Sequence, residues 1–65
     1  MVTVKQINNK LRELGYESEL VKGDGYFYFS GKEMDVVACQ SVAVFRVNQL
    51  TLEQWIWEFE QKINS

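Results

Sequence analysis

The sequence contains no histidine and a single cysteine, Cys39. Without the commonest general base and without paired thiols, Ser-His and Cys-His nucleophilic pairs cannot be assembled, nor can zinc-ligand spacings. Acid-base chemistry would fall to carboxylates, and Asp24, Glu33 and Asp35 sit in or beside predicted turns, where acids are ordinary. No enzyme activity, cofactor or metal is expected. A lone cysteine forms no internal disulfide, which fits a reducing cytosol, and Cys39 reads as a small core residue. Basic residues are also scarce: seven Lys and Arg against nine Asp and Glu leave a net charge of −2, with no global attraction to nucleic acid or anionic lipid. No apolar run approaches bilayer length, and the first fifteen residues carry Lys5, Lys10 and Arg12 without an apolar signal core. These absences read as a soluble cytoplasmic protein with no membrane partner.

What is present is 46% apolar residues in a chain of 65, enough for one domain over residues 1–65 and for a small core only. The chain is organised around Tyr26, Phe27, Tyr28 and Phe29, four consecutive aromatics bounded by Gly25 and by Ser30-Gly31. Flat rings suit a pleated, half-buried surface, so this run predicts a central strand. Alternation puts Phe27 and Phe29 on one face, toward a core, and Tyr26 and Tyr28 on the other, toward water. Ahead of it, Glu17 to Lys22 reads as an edge strand, joined through Gly23-Asp24-Gly25 into a hairpin. A phosphate loop is the competing reading of these glycines beside Lys22, but a P-loop opens a helix and here a strand follows.

Val4, Ile7, Leu11 and Leu14 recur at helical spacing, predicting a helix from Val4 to Leu14. Thr3 with Gln6 forms a capping box, Val2 can staple onto Ile7, and Gly15 can take the left-handed conformation that folds Tyr16 back over Leu11. The same grammar returns at Thr51 and Gln54, with Leu50 stapled to Trp55. Leu52, Trp55, Ile56, Phe59 and Ile63 then make a broad apolar stripe. Between these helices, Met34 to Val47 is rich in Val, Ala and Phe and predicts a third strand, long enough to need a bulge near Gln40 and Ser41. Its alternation sorts Ala43, Phe45 and Val47 to one face and Val42, Val44 and Arg46 to the other, with Arg46 marking the wet one.

The expected fold is therefore α+β, in the order α-β-β-β-α, a three-stranded antiparallel meander with both helices on one face. That face is Phe27, Phe29, Ala43, Phe45 and Val47. The opposite face, Tyr26, Tyr28, Val42, Val44 and Arg46, is expected to stay open, and a Tyr and Val surface of this kind fits a protein partner or a homodimer. Cross-strand pairing of Tyr with Val, which stabilises a sheet by itself, is the plainer reading of the same residues. Trp57 lies off the helical stripe beside Glu53, Glu60 and Gln61, either as a rim residue packed on a neighbouring segment or as a sixth contact residue.

The element order and length resemble the double-stranded-RNA-binding domain over the whole chain. Where that family opens its second helix with lysines that grip phosphates, this chain has Thr51, Leu52, Glu53 and Gln54, so the resemblance implies the fold and not the grip. Gly25 to Phe29 is similar to the aromatic strand of RNA-recognition motifs, which leaves nucleic acid stacked on Tyr26 and Tyr28 beside Arg46 as the alternative function. GYFYF at Gly25 to Phe29, with SVAVFRVNQLTLEQW at Ser41 to Trp55, also resembles small phage- and prophage-encoded proteins. That resemblance implies a bacterial cytoplasmic setting and an accessory role such as binding a host protein. The function expected is thus non-enzymatic protein binding or self-association through the open sheet face.

Overall fold

Both helices start where the side chains say they should. In the computed structural model, which describes residues 1–35 and 41–64, helix α1 spans Val4–Glu13 and helix α2 spans Leu52–Ile63. Each opens on a complete capping box, with Gln6 N donating to Thr3 Oγ1 at 3.2 Å and Gln54 N to Thr51 Oγ1 at 3.1 Å, while Thr3 N and Thr51 N donate to the Gln side chains. Helix α1 ends in a Schellman motif: Tyr16 N donates to Leu11 O and Gly15 N to Arg12 O, both at 3.0 Å, with Gly15 at φ +89°. Leu14 is the C-cap, which turns it out of the stripe and leaves it 45% exposed.

The strands are β1, Ser18–Lys22; β2, Phe27–Gly31; and β3, Ser41–Val42; they form one antiparallel sheet in the order β1-β2-β3. Five residue pairs join β1 to β2, from Ser18 with Gly31 to Lys22 with Phe27, and Gly23 to Tyr26 closes the hairpin. Strand β2 alternates as the aromatic run requires, with Phe27 and Phe29 buried and Tyr28 half-buried on the other face. Leu20, across from Phe29, joins the inward set.

Both helices cover that one face. Ile7 and Leu11 of α1 and Trp55, Ile56 and Phe59 of α2 share a single buried cluster with Leu20, Phe27, Phe29, Met34 and Val42. Trp55 is its hub: its ring meets those of Phe27 and Phe29 edge-on at centroid distances of 5.4 and 6.2 Å, and Phe59 packs on Phe29 at 5.2 Å. The fold is α+β with the expected element order and a one-sided helical layer.

The third strand departs from expectation. Met34 ends a 3₁₀ turn, Lys32–Met34; among the described residues of the segment, strand structure covers Ser41–Val42; and a second 3₁₀ turn covers Val47–Gln49. Gln40, where a bulge was expected, and Cys39 lie outside the described residues. The face assignment is inverted over Val42 to Phe45, whereas Arg46 is exposed and Val47 turns to the core as expected. Val42 pairs with Phe27, so the pleat sends it to the helical side, where it is buried. Val44 and Val47 are half-buried against the core, while Ala43 and Phe45, expected inside, are exposed. The cause is local: Val44 N turns back to donate to Val42 O at 3.0 Å, so the chain leaves the sheet and period-two alternation stops applying.

Candidate interaction surface

The five residues expected to form one open sheet face do not do so. Val42 belongs to the core and Val44 packs against it, so neither can meet a partner as part of an open sheet face. Tyr26 and Tyr28 remain on the uncovered side of β2, with ring centroids 6.0 Å apart, alongside the half-buried Val21 of β1 opposite Tyr28. Arg46 is exposed in the connector after β3, and Trp57 is exposed on α2, the layer that covers the other face. The open face is thus smaller and more polar than a Tyr and Val platform: its remaining positions are Glu19, Ser30 and Ser41.

Sequence periodicity hid a different cluster. At the hairpin end, the loop Gly23-Asp24-Gly25 is flanked by two aromatic rings. A side-chain carbon on Gly23 would come within 2.7 Å of the Tyr26 ring, and one on Gly25 would lie 3.7 Å from the Phe45 ring. Tyr26 is 42% exposed and Phe45 is 74% exposed. Phe45 is not on a slack segment. Its backbone N and that of Arg46 both donate to Gln49 Oε1, at 2.7 and 2.8 Å, and Trp55 Nε1 donates to Val47 O at 2.7 Å. A buried Trp and a Gln therefore hold residues 45–47 from two sides while the Phe45 ring faces water. The available signal was Gln49, four residues after Phe45, but only coordinates could show which backbone it caps.

The opposite end of the hairpin is polar and closed. The ladder ends with Lys32 N donating to Glu17 O and Gly23 N donating to Tyr26 O, so Glu17, Glu19, Val21 and Gly23 point their backbone groups at β2. Ser18, Leu20 and Lys22 point theirs at the free edge. There the Asn8 side chain of α1 takes both groups of Leu20, accepting from Leu20 N at 2.7 Å and donating to Leu20 O at 3.3 Å. One amide replaces a neighbouring strand and blunts the edge against pairing. Nearby, the Glu33 carboxylate accepts from Glu17 N, at 2.9 and 3.0 Å, and from the Ser18 hydroxyl. The Ser18 bond first and the Glu17 N–H next hold the Glu33 carboxyl below the usual range, against a smaller opposing effect of burial. Burial, and then the bond its hydroxyl donates to Glu60, push the Tyr16 pKa up.

A polar cleft beside β1 is lined by Asn8, Arg12, Tyr16, Glu17, Ser18, Glu19, Ser30 and Gly31, where Asn8 and Ser18 are already committed to structural bonds and Glu17 pairs with Lys32 at 3.4 Å. Among the described residues, no three His, Cys, Asp or Glu converge on a metal position, and no helix is long and apolar enough to cross a membrane. What the fold and surface define is a class: a small α+β domain whose distinctive outward features are aromatic. No protein-family model, curated protein or solved structure matches the chain.

Proposed function

We propose that this chain is a non-enzymatic binding module that engages another protein surface, a second copy included, through the aromatic hairpin end formed by Phe45, Tyr26 and Tyr28. The observation that carries this reading is Phe45: a large apolar ring 74% exposed on a backbone fixed by Gln49 and Trp55. Exposing that ring leaves its burial energy, about 1.5–3 kcal/mol, unused in the fold and available to an interface. A ring on a fixed backbone also loses little conformational freedom on contact, which favours its use as an anchor. An accessory role in a bacterial cytoplasm, which the resemblance to small phage-encoded proteins implies, is part of the same proposal.

Phe45→Ser and Tyr26→Ser test the proposal by sedimentation mass and by capture from bacterial lysate with and without nuclease. A specific partner or dimer, insensitive to nuclease and lost in Phe45→Ser, is expected. An unchanged mass together with unchanged capture would remove the hairpin end as an interface. The second reading, single-stranded nucleic acid, rests on Arg46 lying exposed beside Phe45, with the Tyr26 and Tyr28 rings 6.0 Å apart as stacking surfaces. It requires labelled oligonucleotides to bind at low salt and to be released steeply as salt rises.

A further inference from the structure

The solvent face of α2 carries a second outward aromatic, and its surroundings differ from those of the hairpin end. Helical geometry places Glu53 and Gln61 one turn either side of Trp57, with Gln54 and Glu60 flanking it. This face of α2 bears two carboxylates, two amides and an indole, and no cation. Glu58 and Lys62 stand one turn apart on the adjoining stripe of the helix, and Lys10 of α1, which shares a shallow depression with Glu53, is paired to Glu13 at 3.7 Å. Trp57 is 56% exposed although five other side chains of the same helix lie in or against the core. The face is rigid, since Trp55, Ile56 and Phe59 are fixed in the core beneath it and the Tyr16 hydroxyl donates to Glu60 at 3.2 Å.

We propose that this face of α2 docks a basic segment of a partner protein, with an Arg or Lys side chain stacked on the Trp57 indole and its charge met by Glu53 and Glu60. The indole is the best aromatic acceptor for a cation, and a carboxylate one helical turn away supplies the countercharge. Charge complementarity selects the occupant. A second copy of the same face would set glutamates against glutamates, and a nucleic acid would set phosphates against them. The proposal is independent of the hairpin end, because Trp57 stands on the helical layer and Tyr26 and Tyr28 on the uncovered face of the sheet.

Trp57 is also the natural reporter, since Trp55 is fully buried and only Trp57 is open to a quencher. The intact chain is titrated with a nine-residue peptide of alternating Arg and Ala, and with a Glu and Ala counterpart, while acrylamide quenching is followed. The Arg peptide is expected to shield Trp57 and the Glu peptide to leave it open. Trp57→Ala, followed by anisotropy of the labelled peptide, is expected to weaken binding about tenfold at unchanged net charge, with Trp57→Tyr retaining part of it. Glu53→Gln with Glu60→Gln should weaken it further and flatten its salt dependence. Binding of equal strength in Trp57→Ala would reduce the effect to bulk charge and overturn the proposal. So would absent shielding, or a doubled mass that Trp57→Ala abolishes, which would make the occupant a second copy. Circular dichroism of each variant confirms that the fold persists.

Discussion

The two sides of β2 are built by different rules. On the β1 side, five residue pairs, the Asn8 amide and the Glu33 carboxylate hold a hairpin whose inward and outward residues follow strict alternation. On the β3 side the described residues form two pairs, and the chain then turns off the sheet into a connector held by Gln49 and Trp55. A ladder fixes side-chain direction by geometry, whereas a connector fixes it by whichever side chain caps the backbone. The hairpin therefore spends its phenylalanines on the core, and the connector leaves Phe45 to the surface.

Phe29→Ala and Phe45→Ala break this comparison most directly. The first removes a fully buried ring that packs on Trp55 and Phe59, and should cost about 3–5 kcal/mol in urea denaturation. The second should stay within about 0.5 kcal/mol of the parent, as surface substitutions do. Equal losses would mean that the connector contributes to the core after all.

Gly31 sharpens the hairpin side. It sits at φ +146°, and a side-chain carbon there would lie 2.5 Å from Glu17 O and from Ser18 Cα, both backbone atoms that cannot move cheaply. Gly31→Ala should cost on the order of 3 kcal/mol, combining backbone strain with overpacking. Gly15→Ala, left-handed but facing empty space, should cost about 1 kcal/mol. Asn8→Ala ranks next, at about 1–3 kcal/mol, because it strands the N–H and C=O of Leu20 at the sheet edge. Amide exchange at Leu20 should accelerate in that variant while Tyr28, on the ladder, stays protected.

The smallest effect is one of pH. Because the folded pKa of Glu33 lies below its ordinary value, its contribution is complete above the ordinary carboxylate range and is lost as pH falls through the folded value. Melting temperature should therefore decline as pH drops below about 4.3, the unfolded reference, and Glu33→Gln should remove part of that decline.

Much of this architecture was legible in the residues. Thr3 with Gln6 and Thr51 with Gln54 announce the helix starts, Gly15 and Tyr16 the first helix end, and the aromatic run its own two faces, because each depends on neighbours a few positions away. Val42 to Phe45 was not legible. Val, Ala, Val, Phe, Arg and Val fit a strand in either frame, and the frame is decided by a pairing fifteen residues distant, Phe27 with Val42, and by a turn at Val44. The expected platform failed with that frame, because Val42 and Val44 went to the core side, while Trp57 was identified as lying off the stripe and is exposed as such a position allows.

Nuclear Overhauser contacts among the rings and methyl groups test the one-sided core and its connector together. Phe27 should show cross-peaks to Trp55, and Phe29 to Trp55 and Phe59; Val42 should fall within that same network, with Phe45 giving none to Trp55. Contacts from Phe45 to Trp55, with Val42 facing solvent, would contradict the account and return the third strand to the opposite frame.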